Sequence, residues 1–331
     1  MQRICRGRKR NWNHPYKLTF SSGGSIVHQI TAYGGLKGPA PFQQAILQSP
    51  GFFPTASNLQ QENIFQTFLG LLNVSTLEEA RRLPSAALIK ANLIQVANAN
   101  YGGFGFGPAV DGYFVPLLPG ELLAQGRYDK NLKLLLGHNL NEGLAFTSPF
   151  ITNQSTYAGS LQVALPDASS SVLNYIDTVL YPPVFTGQYG YTDQISRAAL
   201  TIAELVFTCN TFFLDLAYGN KTYAYQFSIF PALHGEDLSY TFYNDGGLRR
   251  PDLSKLDTGL QNVTVALALQ DWIVTFTRDG VPSSPDVQGI PKFTLYGPDA
   301  MIENLNLTRI TQIMDPAADP RCRWWQKALY Y

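Results

Sequence analysis

Glu142, in G-H-N-L-N-E-G, and His234, in P-A-L-H-G-E-D-L, each follow directly on an apolar run, K-L-L-L and T-Y-A-Y-Q-F-S-I-F. Ligands gather at the carboxyl ends of strands in an open α/β sheet, so polar residues placed just past such runs are candidates for chemistry. A carboxylate that holds one imidazole nitrogen leaves the other free to take a proton from an alcohol, which is how a serine is made nucleophilic. The chain order for such a set is serine, acid, histidine. A serine ahead of Glu142 occurs in Y-K-L-T-F-S-S-G-G-S-I-V-H-Q-I, residues 16–30, which reads as a short strand, a glycine-containing turn and the start of a helix. A nucleophile on that kind of strained turn sits between glycines two positions before and two after it. Ser21 has Gly23 after it but Thr19 before, and Ser22 has Gly24 after it but Phe20 before.

Position alone leaves other assignments open. His14, His28 and His138 are the remaining histidines, and a single histidine beside a strand can be purely structural. Glu236 or Asp237 could pair with His234 as a local ion pair in place of Glu142. Asp111, in A-V-D-G, suits a turn, since Asp-Gly favours one.

These residues need a scaffold that delivers them from separate strand ends. Ile26, Val27 and Ile30 form one apolar helical face. The run A-I-L-Q at 45–48, bounded by Pro50-Gly51, suits a buried strand, with helix after it. Ser75 and Glu78 have capping-box spacing, and Ser85 opens a second helical pattern. The stretch Y-G-G-F-G-F-G-P at 101–108 reads as a loop whose rings could line a pocket. Lys133 to Gly137 is a compact buried strand. Thr192 or Asp193 can cap a long helix to about Tyr218, residues 222–230 are β-branched and aromatic, and 260–278 favours helix. Strands separated by long helical patterns imply a mainly parallel, doubly wound sheet. There is no internal repeat.

The bulk composition excludes several partners. Lys plus Arg equals Asp plus Glu at 24 each in 331 residues, so no net field attracts nucleic acid or an anionic membrane. The basic run from Arg3 to Arg10 reads as a solvated tail within residues 1–15, which show no apolar periodicity and are expected to be disordered. Apolar stretches such as V-A-L-A-L at 265–269 fall short of the ~20 residues a membrane span requires, so no transmembrane segment is expected. No C-x-x-C, H-x-x-x-H or glycine-rich phosphate loop suggests a metal or a cofactor, and none is expected. Asn73, Asn153, Asn220, Asn262 and Asn306 stand in Asn-x-Ser/Thr sequons, which suggest surface glycosylation in a secreted chain. The N-terminus carries positive charge but no apolar segment of a signal peptide.

Residues 22–331 resemble the type-B carboxylesterase family of fungal lipases and cholinesterase-like proteins. The matching blocks are G-G-S-I-V-H-Q, A-I-L-Q-S-P-G, F-G-P-A-V-D-G-Y-F-V-P with P-G-E-L-L-A-Q-G, G-H-N-L-N-E-G-L-A-F, H-G-E-D-L-S-Y and W-I-V-T-F-T-R-D-G-V-P. The resemblance implies an α/β-hydrolase fold, an ester or lipid substrate for the full-length parent, and Glu142 and His234 as acid and histidine of a Ser-His-Glu mechanism. It implies secretion of the parent and a late disulfide between Cys209 and Cys322, with Cys5 left over. The family's elbow, G-E-S-A-G, puts its nucleophile at Phe20 when its tail is laid on Gly23-Gly24-Ser25, with Leu18 and Thr19 in place of the preceding Gly and Glu. The glycine-rich oxyanion segment has no counterpart in residues 1–19. The expectation is therefore an N-terminally truncated chain: residues 1–21 non-homologous, 22–331 the C-terminal portion of the domain, and no activity as written. Ser21, shifted by one, is a weaker substitute nucleophile. The alternative is a non-catalytic cholinesterase-like binding or adhesion module.

Overall fold

The computed structural model describes residues 22–53, 55, 57–244 and 260–331. The strand expected ahead of the glycine turn, with Phe20 and Ser21, lies outside the described residues, as do Cys5, His14 and the basic run.

Five strands form one sheet in chain order: β1 (Gln44–Gln48), β2 (Lys133–Asn139), β3 (Tyr223–Phe227), β4 (Met301–Leu305) and β5 (Ile310–Met314). The first four run parallel and β5 returns antiparallel to β4. The β4–β5 hairpin was not anticipated from the sequence. Parallel strands covered on both faces read as continuous apolar runs, and β2 shows why. Leu134 and Leu136 pack into one core with Ile26, Leu47 and Phe212, while Leu135 faces the other with Ile46, Tyr225, Trp272 and Phe276.

Helix Ser22–Ile30 lies against β1, burying Ile26, Val27 and Ile30 as the apolar face predicts. Its start is tight: a Cβ on Gly24 would meet the backbone of Gly51. The capping box of Leu77–Arg82 uses Thr76 and Glu79, one residue later than the expected Ser75 and Glu78, because S-T and E-E doublets offer the same spacing in either register. Asp193 caps its helix, with Ser196 completing the box.

The long helix expected to run to about Tyr218 spans Gln194–Ala217. It is 24 residues long, and an 18-residue stretch of it has mean hydropathy 1.4, enough by length and composition to cross a membrane, but 72% of that stretch is buried inside the protein. Polar residues are spaced along it. Two of these are buried and paired: Arg197 with Asp177 at 2.6 Å and Glu204 with Arg321 at 2.8 Å. A π-type turn at Glu204–Thr208 precedes Cys209, which is disulfide-bonded to Cys322 of helix Pro320–Trp325. Helix Val263–Asp279 covers the other face, capped by Asn262 and ended by Gly280 in the left-handed conformation.

Candidate active site

Three neighbouring strands release the chain at the same sheet edge. β1 ends into Ser49, β2 into Asn139 and the Glu142 turn, and β3 into a loop that returns through His234. Leu140 N–H donates to Phe227 O and Asn141 N–H to Ala232 O, both at 2.9 Å, so the acid turn and the histidine loop are stitched side by side. Gly143 is required there. A Cβ on it would strike the backbone of Ala199 and Ala203 in the long helix.

His234 Nδ1 stands 2.5 Å from Glu142 Oε2. Glu142 is fully buried, and its other oxygen accepts from Ser49 Oγ at 2.5 Å and from Asn139 N–H at 2.6 Å. A buried carboxylate costs heavily unless donors surround it, and here both oxygens have them. With Nδ1–H directed to the carboxylate, Nε2 is the nitrogen left to accept a proton. The imidazole keeps 28% of its side-chain surface. Phe207 and Phe146 confine its faces, with ring centroids at 4.6 Å and 5.2 Å. Phe53 and Phe104 join Phe146, so one ring of the glycine- and aromatic-rich loop reaches this cluster.

The competing assignments resolve by geometry. Glu236 accepts from Leu233 N–H at 3.0 Å. Asp237 lies beneath, accepting from Gln48 Nε2 at 2.9 Å and Tyr225 OH at 3.2 Å. Burial, then the charge of Glu142, pushes the Asp237 carboxyl up to about 6. His28 is buried against Phe52 with Nδ1 2.7 Å from Gly24 O, and burial lowers its pKa. His138 is buried on β2, 3.4 Å from Gln226 Oε1. Asp111 accepts from Tyr113 and Val115 N–H groups, as a turn residue does. Ser49 was missed, although it stands at a strand end like Glu142 and His234 and could have been found by the same rule.

Of the sequon asparagines, Asn73 and Asn153 are exposed, whereas Asn220, Asn262 and Asn306 are half-buried. Among the described residues, Glu204, Cys209 and Cys322 bring possible metal-ligand atoms within 4.8 Å of one another. The sulfurs are bonded to each other and Glu204 is bound by Arg321, so these donors are already taken.

The model of the carboxylesterase family matches residues 18–325. This chain belongs to the carboxylesterase family. It is 38% identical over 310 residues to carboxylesterase patB of Penicillium expansum, covering 93% of this chain and 53% of that protein. It is 28% identical over 329 residues to a secreted lipase of Arthroderma benhamiae, covering 93% and 59%, and 26% identical over 309 residues to mouse (Mus musculus) neuroligin-3, covering 82% and 36%. The chain thus spans about half the length of the patB protein. Among solved structures, Aspergillus niger EstA superposes with a TM-score of 0.76 at 19% identity, over 94% of this chain and 63% of EstA. At that identity the likeness speaks for the fold, which is that of the α/β-hydrolases.

Proposed function

We propose that this chain carries the acid and histidine of a carboxylic ester hydrolase, with Glu142 orienting His234 and His234 acting as general base and then general acid toward a serine. The 2.5 Å contact between His234 Nδ1 and buried Glu142 carries the reading. In this proposal residues 22–331 form the C-terminal portion of a carboxylesterase domain whose substrates are esters or lipids. The nucleophile position falls on Phe20, so the chain as written turns over no ester. Ser21 would be a poor substitute, because Thr19 and Phe20 bring bulk where the turn needs little. The Cys209–Cys322 bond supports an oxidising compartment and hence export of the parent, where the exposed sequons Asn73 and Asn153 would be the most accessible to glycosylation.

A fluorophosphonate probe tests the proposal. The unaltered chain is expected to form no adduct, and Phe20→Ser to form one that disappears when His234→Ala is added. An adduct on Ser21 of the unaltered chain would overturn the inactivity, and no adduct in Phe20→Ser would move the nucleophile elsewhere. Labelling that persists without His234 would sink the assignment of the base. A second reading, a non-catalytic binding or adhesion module, draws on the similarity to neuroligin-3; the fully satisfied Glu142–His234 pair weighs against it.

A further inference from the structure

We infer that Asn139 is the positioning residue of the Glu142–His234 pair, setting the acid and the imidazole at their distance by holding both at once. The inference rests on the esterase reading of this site and adds a residue to it.

Asn139 is the last residue of β2 and is fully buried. Its backbone N–H donates to Glu142 Oε1 at 2.6 Å, fixing the carboxylate. Its side-chain Nδ2 donates to Leu233 O at 2.8 Å, the peptide carbonyl immediately before His234. A second, longer contact joins Nδ2 to Asp237 Oδ1 at 3.4 Å, three residues past the histidine. The amide orientation follows from chemistry, since turning it over would set Oδ1 against two acceptors. Oδ1 has no hydrogen-bond partner in its present orientation. A buried amide that leaves its oxygen unsatisfied in order to direct its nitrogen at the histidine loop is serving the loop more than its own solvation. The neighbouring ties, Asn141 N–H to Ala232 O and Asn141 Nδ2 to Pro231 O at 2.6 Å, hold the loop further upstream. Asn139 therefore links the carboxylate to the peptide bearing the imidazole. A misplacement of about 1 Å between reacting groups can cost a hundredfold in rate, so a tie at this point has a function that simple loop stability does not require.

The test reads the imidazole directly and needs no turnover. In the 331-residue chain with 15N-labelled histidine, His234 is expected to show a far-downfield Nδ1–H proton, from the hydrogen bond to Glu142. Asn139→Ala is expected to lose that proton signal to exchange and to mix the two ring tautomers. Gln95 supplies the control: it too is buried, donates Nε2 to a backbone carbonyl, Ile64 O, at 3.0 Å and leaves Oε1 unpartnered, away from the site. Gln95→Ala should lower the melting temperature comparably and leave the His234 signals untouched. An unchanged His234 spectrum in Asn139→Ala overturns the inference while leaving the acid–histidine reading intact. Absence of the downfield proton in the unaltered chain instead overturns that reading. Should Asn139→Ala fail to fold, the side-chain amide protons of Asn139 in the unaltered chain decide: slow exchange supports the tie, and exchange at the free rate overturns it.

Discussion

Glu142 and Asp215 are both fully buried acids in the same molecule, and their surroundings are opposite. Glu142 receives Ser49 Oγ and Asn139 N–H on one oxygen and faces the His234 imidazole with the other. Asp215, in the long helix, accepts from the Thr222 hydroxyl on Oδ1 and has no partner on Oδ2. Burial raises its pKa well above the usual carboxylate range, and nearby Asp315 pushes in the same direction. A carboxylate ringed by donors can keep its charge in the interior, whereas one with a single hydroxyl is more cheaply held as the neutral acid. The contrast separates an acid whose oxygens both have partners, one of them an imidazole, from one left with a single hydroxyl.

The difference can be broken from either side. Glu142→Ala leaves the Asn139 N–H and the Ser49 hydroxyl unmatched beside a cavity, and is expected to cost about 3 kcal/mol in urea unfolding, with the m-value unchanged. Ser49→Ala removes one of the two donors that reach Glu142 Oε1. It should cost ~2 kcal/mol by the same measurement, in the range for bonds to charged groups. Thr222→Val removes the hydroxyl that reaches Asp215, whose raised pKa favours the neutral form, and should cost about 1 kcal/mol or less. If Thr222→Val proves as costly as Ser49→Ala, Asp215 is charged and the contrast fails.

The two regions also differed in how visible they were beforehand. β1, β2 and β3 could be read because each serves two cores at once, Leu47, Leu134, Leu136 and Ala224 facing one and Ile46, Leu135, Tyr225 and Phe227 the other, which leaves short unbroken apolar runs. Glu142 and His234 stood out because a charged or titratable residue directly after such a run is conspicuous. Ser49 and Asn139 were not conspicuous: a small neutral side chain at a strand end carries no periodicity or charge, and its value lies in contacts across the sheet. β4 was hidden for a related reason. Glu303 and Asn304 interrupt M-I-E-N-L, yet both lie in the sheet, each with an oxygen that has no partner. β5, an edge strand with alternating exposure, was too mixed to register.

Asp215→Asn gives the most diagnostic sign. A carboxyl whose pKa is higher in the folded than in the unfolded chain binds its proton more tightly when folded. The stability it contributes is fully present below the unfolded pKa of about 3.9 and is lost as pH rises through the folded value. Removing the titration should therefore leave the variant close to the parent chain near that lower limit and make it progressively the more stable of the two toward alkaline pH. Asn keeps the shape and an oxygen for Thr222, and it removes the charge that burial and nearby Asp315 both disfavour. Urea midpoints measured across the pH range decide it. A variant less stable than its parent throughout, with parallel pH profiles, would mean that Asp215 is ionised in the folded chain and that its missing donors are supplied after all.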